Sequence, residues 1–243
     1  MTLTESQIDI ATPTGPMRTY VYRPTGDRRW PGLVFYSEIF QRTAPIARMA
    51  ATFAGHGFVV LVPEVYHELE PPGTVLGYDK SGTDRGNAHK LAKPIEAFDS
   101  DAAAAVETLL ADPGCSGRVG AFGVCLGGHL AFRAALHPQV AATVCAYATD
   151  LHKGSLGAAG DDSLRRAGDI RGELMMVWGR QDPHVPLEGR RLIQRTLEEA
   201  GVLYSWHEVN AQHAFMRDEG HRYDPPLASL VYRLSLDLFA RAL

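Results

Sequence analysis

An apolar run that turns directly into a helix between two flanking glycines leaves a chain few ways to fold. Residues Arg118 to Leu130 read R-V-G-A-F-G-V-C-L-G-G-H-L. Val119 to Phe122 has the character of a buried strand's end. Gly123-Val124-Cys125-Leu126-Gly127 turns sharply, and Gly128 onward reads as a helix packed back on the sheet. This is the G-x-nucleophile-x-G arrangement, with cysteine where serine is usual. A Cβ two residues to either side of Cys125 would clash where strand and helix backbones close up. The turn lifts the sulfur above the sheet and aims the first helical amides at whatever the sulfur attacks. Those amides and the positive end of the helix favour a thiolate and a developing oxyanion. The Lys-Ser/Thr pair of a phosphate loop and the spacing of a dinucleotide fingerprint are both missing.

The rest of the chain repeats the theme of apolar runs alternating with helical spacing. Gln7 to Ala11 and Met17 to Tyr22 flank the turn signal T-P-T-G and predict a starting hairpin. Buried-type runs follow at Gly32 to Tyr36, Phe58 to Val62, Val140 to Tyr147, Glu173 to Trp178 and Tyr204 to Val209. Helical spacing covers Pro45 to Phe53, an Ala-rich stretch from an Asp99-Ser100-Asp101 cap to Leu110, residues 128 to 136, Leu187 to Ala200 and Leu227 to Leu243. Residues 64 to 98 are irregular, with a short helix around Arg85 to Leu91 and the pocket loops expected there. The alternation predicts an α/β fold, a mostly parallel sheet covered by helices on both faces, as a single domain over 1–243.

Composition narrows the function. Charged residues make up 21% of the 243 residues and the formal charge is -4, with no basic run, so no nucleic-acid partner is expected. No apolar run approaches membrane-spanning length, and the first twenty residues lack the pattern of a secretory signal. A cytoplasmic protein without membrane attachment is expected, with a monomer favoured. Cysteines at 115, 125 and 145 are neither evenly paired nor closely spaced, which suits a reducing compartment better than a disulfide scaffold or zinc cluster. No cofactor or metal is implied.

In a parallel sheet, ligands bind beyond the C-terminal strand ends. Glu38, Cys125, Asp182 and His213 all fall at such ends. Nucleophile, acid and histidine follow one another in the order of the α/β-hydrolase arrangement. His213 can take the thiol proton and return it to a leaving group, while Asp182 fixes the imidazole tautomer. Cys115 and Cys145 read as packing residues, and His129 as structural. His67 and His89 are either substrate contacts or solvated.

Four motifs together, G-V-C-L-G-G at 123 to 128, G-R-Q-D-P at 179 to 183, A-Q-H-A-F at 211 to 215 and S-E-I-F at 37 to 40, resemble the dienelactone hydrolase family across essentially the whole chain. The resemblance implies an α/β-hydrolase fold without cofactor and a triad of Cys125, Asp182 and His213. It also implies oxyanion donors on the Ile39 and Leu126 amides, and a Glu38 that contacts the resting thiol until substrate displaces it. Family members that process dienelactone hold its carboxylate with two arginines, which match Arg217 and Arg85 here. Val124, His89 and Ala92 replace a tyrosine, an aromatic residue and a tryptophan of that pattern. This implies a reshaped pocket, with Tyr78, Tyr66 and His89 as lining candidates. The expected activity is cysteine-dependent hydrolysis of a lactone or activated ester, such as a carboxylate-bearing enol-lactone, through an acyl-thioester. The alternatives are a general carboxylesterase and a catalytically silent binding or regulatory protein on the same fold.

Overall fold

A computed structural model describes residues 1–243. The chain opens with a hairpin of β1 (Leu3–Thr12) and β2 (Gly15–Pro24), paired antiparallel from Leu3↔Pro24 to Thr12↔Gly15. It continues through β3 (Trp30–Tyr36), α1 (Ala44–Gly55), β4 (Val59–Pro63), α2 (Lys80–Ala92), α3 (Ile95–Ala111) and β5 (Cys115–Val124). Next come α4 (Leu126–Ala134), β6 (Val140–Ala146), β7 (Glu173–Gly179), α5 (Leu187–Glu199), β8 (Tyr204–Val209) and α6 (Pro225–Ala242). One eight-stranded sheet runs β1-β2-β4-β3-β5-β6-β7-β8. Its β1, β2 and β4 pair antiparallel, and all pairs from β4 through β3 to β8 are parallel.

The inner parallel strands β3, β4, β6 and β7 are largely apolar because helices cover both of their faces, whereas the edge strand β8 is half-buried and carries Ser205, His207 and Glu208. Side chains alternate between two clusters: Val59, Leu61, Val119, Ala121, Leu174 and Met176 pack on one side. Val60, Val62, Phe122, Val124, Met175 and Val177 pack on the other. The first cluster is closed by α3, α4 and α5 through residues such as Phe98, Leu130 and Ile193. The second is closed by α1 and α6 through Phe53 and Phe239.

Three boundaries differ from the sequence reading. The Ala-rich helix begins at Ile95 behind an N-cap at Pro94, not at Asp99. Asp99 and Asp101 lie inside it because each has a tertiary partner: Arg133 binds Asp99 through both Nε and Nη2 at 2.6 Å, and Lys93 pairs with Asp101. Helix α4 starts at Leu126, since Cys125 itself is the cap. Helix α2 is longer than the short helix expected around Arg85 to Leu91, because the Asp79 carboxylate accepts from Gly82 N at 2.7 Å and starts the helix earlier. Residues 64–79 are anchored by the buried Glu64, which accepts from Tyr20 Oη at 2.7 Å and Gly73 N at 2.9 Å.

Candidate active site

Cys125 sits where β5 becomes α4, at φ 59° and ψ −122°, a backbone geometry rarely adopted by L-residues. Backbone bonds on both sides hold it there. Cys125 N donates to Ala146 O at 3.1 Å, and its carbonyl accepts from Gly128 N at 3.0 Å and Thr149 N at 3.2 Å. A Cβ at Gly123 would lie 1.8 Å from Gly127 O, and one at Gly127 would lie 2.1 Å from Tyr36 O. Only glycine fits either position. Gln41, Tyr147, Asp150 and Ala214 are the other non-glycine residues with positive φ. All of them line the cavity above Cys125 or adjoin residues that line or pack on it. Strained backbone collecting at one place is characteristic of functional sites.

The cavity has a volume of about 170 Å³. Of the residues expected at the site, Cys125, His213, Glu38, Ile39, Tyr78 and Arg217 line it. Asp182 stands behind His213 and accepts Nδ1–H at 2.6 Å; its other oxygen accepts from His184 N at 2.8 Å. That leaves Nε2 as the free ring nitrogen. The rings of Tyr147 and His184 pack edge-on against the imidazole, with centroids at 5.2 and 4.5 Å, and fix its plane. Burial opposes charge on His213. The negative charge of a Cys125 thiolate and the bond to Asp182 outweigh it and push the imidazole up to about 10. Burial likewise penalises the Asp182 carboxylate, but the bond to His213 and its charge hold that group below the usual carboxylate range.

Glu38 is buried at the end of β3. Its Oε2 accepts from Tyr78 Oη at 3.2 Å, and its Oε1 lies 3.7 Å from Arg217 Nη1. Tyr78 shares a 2.7 Å bond with Thr43 Oγ1, and the Arg217 guanidinium lies over its ring at 4.2 Å. Burial pushes the Glu38 carboxyl up, against the pull of Arg217, His213 and Tyr78. No hydrogen bond joins Glu38 to the thiol in this conformation; Arg217 and Tyr78 hold it instead. Leu126 opens α4, where the helix offers its N–H no acceptor, and Ile39 N donates to no backbone oxygen.

Arg85 and His89 are placed elsewhere. Both bind Glu70, whose side chain is fully buried, through Arg85 Nη2 to Oε2 at 2.6 Å and His89 Nε2 to Oε1 at 2.5 Å. Tyr66 is also outside the cavity and donates to Gly86 O at 3.0 Å. The reason is helical register. Thr83, Asn87 and Lys90, spaced i, i+4 and i+7 on α2, face the cavity, and Arg85 and His89 share a different face. Asp79, a good N-cap, was the signal that would have revealed this helix and therefore its inward face. Thr149, Asp150, His184 and Arg222 complete the polar lining. Arg222 carries no local sequence signal.

Two side-chain groups have metal-like spacing, and both are already occupied by other contacts. In the group Asp182, His184 and His213, two members are bonded to each other. In the group His67, Glu68 and Asp101, the Lys93 ammonium already holds both carboxylates. A larger open trough of about 570 Å³ around Arg133 and residues 154–166 does not include Cys125. Its Arg133 is engaged by Asp99, Asp162 and Ser163.

The dienelactone hydrolase family matches residues 17–243. The chain belongs to that family. It is 41% identical over 230 residues to a Saccharomyces cerevisiae protein named "putative carboxymethylenebutenolidase", covering 90% of this chain and 84% of that one. With the carboxymethylenebutenolidase of Pseudomonas putida it shares 30% identity over 213 residues, covering 86% and 85%. Among solved structures, a Klebsiella pneumoniae protein titled "putative dienelactone hydrolase" superposes with a TM-score of 0.87 over 99% of both chains at 22% identity. That likeness establishes the α/β-hydrolase fold. As a member of the dienelactone hydrolase family, the protein is a hydrolase acting on ester bonds of small molecules, esters or lactones. No helix is long and apolar enough to cross a membrane.

Proposed function

We infer that the protein hydrolyses a compact lactone or activated ester that carries a carboxylate, with Cys125 as the nucleophile. One observation carries this reading. A cysteine held at a positive φ under a helix N-terminus shares a cavity with an imidazole whose tautomer is locked by a buried carboxylate. The Cys125 sulfur adds to the substrate carbonyl, and the oxygen that gains charge faces the Leu126 and Ile39 amides, where such donors act most strongly. As the carbonyl re-forms, the ring C–O bond breaks, leaving an acyl-thioester and an enolate that takes a proton. His213 then accepts a proton from water, the hydroxide adds to the thioester, and the Cys125 thiolate departs. An enolate leaves with little acid help, which suits a thiol nucleophile. Glu38 acts as a gate: held by Arg217 and Tyr78 it leaves the thiol free, and turned toward the thiol it would protect it.

The test is hydrolysis of cis- and trans-dienelactone and of a neutral p-nitrophenyl ester by wild type and Cys125→Ala, with the trapped enzyme weighed by mass spectrometry. Cys125-dependent turnover with an acyl adduct on the peptide containing Cys125 is the expected result. Turnover that survives Cys125→Ala without an adduct removes the cysteine mechanism; serine, itself a nucleophile at such a turn, would not discriminate.

A further inference from the structure

His129 stands one turn beyond the nucleophile on α4, and its fully buried ring has both nitrogens committed. Nδ1 lies 3.0 Å from Thr149 O; a carbonyl oxygen can only accept, so this nitrogen carries a proton and donates it. Nε2 faces Ser163 Oγ at 2.9 Å and Asp161 Oδ1 at 3.3 Å. Asp161 is fixed in turn by Ser163 N and Leu156 N, each at 2.9 Å. Burial opposes charge on the Asp161 carboxyl, but His129 and Ser163 outweigh it and hold the group far below the usual carboxylate range. Arg133, one turn further along α4, donates to the same Ser163 Oγ at 3.0 Å. One edge of the imidazole is thus fastened to residues 161–163, and the other reaches a single backbone carbonyl beside the active site.

That carbonyl matters because of what the same residue does with its N–H. Thr149 N donates to Cys125 O at 3.2 Å. The Cys125 carbonyl and the Leu126 N–H belong to one planar peptide and point in opposite directions across it, so holding the carbonyl aims the N–H. Gly128 N holds that carbonyl at 3.0 Å from within the helical turn, and Thr149 holds it from outside. The segment around Thr149 is strained: Tyr147 at φ 40° and Asp150 at φ 64° flank it in a region L-residues avoid. The peptide His129 grips is the one that joins Thr149 to Asp150. The segment also lies directly on the first turn of α4, since a Cβ at Gly128 would come within 2.9 Å of Ala148 Cα. A shift there is felt at once in the peptide that follows Cys125.

We propose that His129 is a positioning residue for the hydrolysis: by fixing the Thr149 carbonyl it keeps the Thr149 N–H on Cys125 O, and so keeps the Leu126 amide aimed at the oxygen that gains charge. The proposal rests on Cys125 as nucleophile and Leu126 as an oxyanion donor. A donor set in place beforehand does not have to turn as charge develops, which is where such groups gain their effect. The two edges of the ring then have separate duties. Nε2 secures residues 161–163 and serves stability, while Nδ1 serves the rate. A histidine that only packs would not divide in this way.

The two edges can be removed separately, because an asparagine amide lies near the place of Nδ1 and a glutamine amide near that of Nε2. Wild type, His129→Asn, His129→Gln and Cys125→Ala are compared for kcat and KM on a neutral p-nitrophenyl ester, for urea unfolding and for iodoacetamide labelling of the thiol. Acylation and deacylation both pass through an oxyanion, so His129→Gln should lose about 10- to 100-fold in kcat with KM within about twofold. His129→Asn should keep kcat within about fivefold of wild type. It should nevertheless unfold at lower urea than His129→Gln, having left Asp161 and Ser163 unanswered. Labelling should run at the wild-type rate in both, since alkylation of a thiolate builds no oxyanion. An unchanged kcat in His129→Gln, or a kcat that follows stability with His129→Asn the slower, overturns the assignment. So does a labelling rate in His129→Gln that falls along with kcat. Wild type supplies a readout that needs no variant to fold: in an isotope-labelled histidine NMR spectrum, the His129 Nδ1–H signal should shift when a slowly hydrolysed ester acylates Cys125. A signal that stays put also overturns the assignment. Neutral-ester turnover that survives Cys125→Ala removes the nucleophile reading instead, whatever the His129 variants do.

Discussion

Replacing Asp182 with asparagine keeps the side chain's size and removes its charge. In the wild type that carboxylate receives His213 Nδ1–H at 2.6 Å and is almost wholly buried. A hydrogen bond of this charged kind is worth about 1.5–3 kcal/mol. Without it, kcat/KM on a neutral p-nitrophenyl ester should fall about 10- to 150-fold. The neutral ester is the right probe because it does not depend on the arginines of the cavity. Stability should follow pH with a definite sign. His213 is raised in the folded state from 6.5 to about 10, so its contribution is fully present below pH 6.5 and is lost as pH rises through about 10. Asp182 is lowered from 3.8, so its contribution is present above that value and is lost as pH falls. Urea unfolding at a series of pH values should therefore show the widest gap between wild type and Asp182→Asn in mildly acidic buffer, closing toward about pH 10. A variant within about twofold of wild-type turnover, well short of the expected loss, would refute the assignment of Asp182. So would a stability gap that stays flat as pH rises from neutral to about 10.

Two further substitutions probe the surroundings of the site. Lys93→Met removes a buried ammonium that binds Val65 O at 3.0 Å, Glu68 at 2.8 Å and Asp101. Asp101 is left buried beside His67, so unfolding in urea should show a loss of about 3–5 kcal/mol. Glu38→Gln removes a negative charge from the cavity wall, which favours the thiolate by relieving like-charge repulsion. The pH profile of iodoacetamide labelling at Cys125 should move to lower pH, and a profile identical to wild type would end the gating role given to Glu38.

The sequence by itself determined the strand and helix alternation, and with it the parallel sheet, because side-chain period and apolar runs are local properties. It also determined the turn at Cys125, since Gly123 and Gly127 stand where a Cβ would meet backbone oxygen. The order of Cys125, Asp182 and His213 at strand ends could be read for the same reason: a strand end is where local pattern and global position coincide. Tertiary structure decided which cations reach the cavity. Arg85 and His89 were lost to Glu70 because α2 begins at Lys80 and turns its Thr83, Asn87 and Lys90 face inward. A helix of low amphipathicity hides its inward face in the sequence, since that face is chosen by what it packs against. Arg222 was reached only through the clamp of Arg48 on Asp218 and the closure of Asp224 on Phe215. Those contacts join residues distant in the chain. No local pattern of apolar or polar residues encodes where such a loop will set down a guanidinium, so the charge of the pocket belongs to the folded molecule.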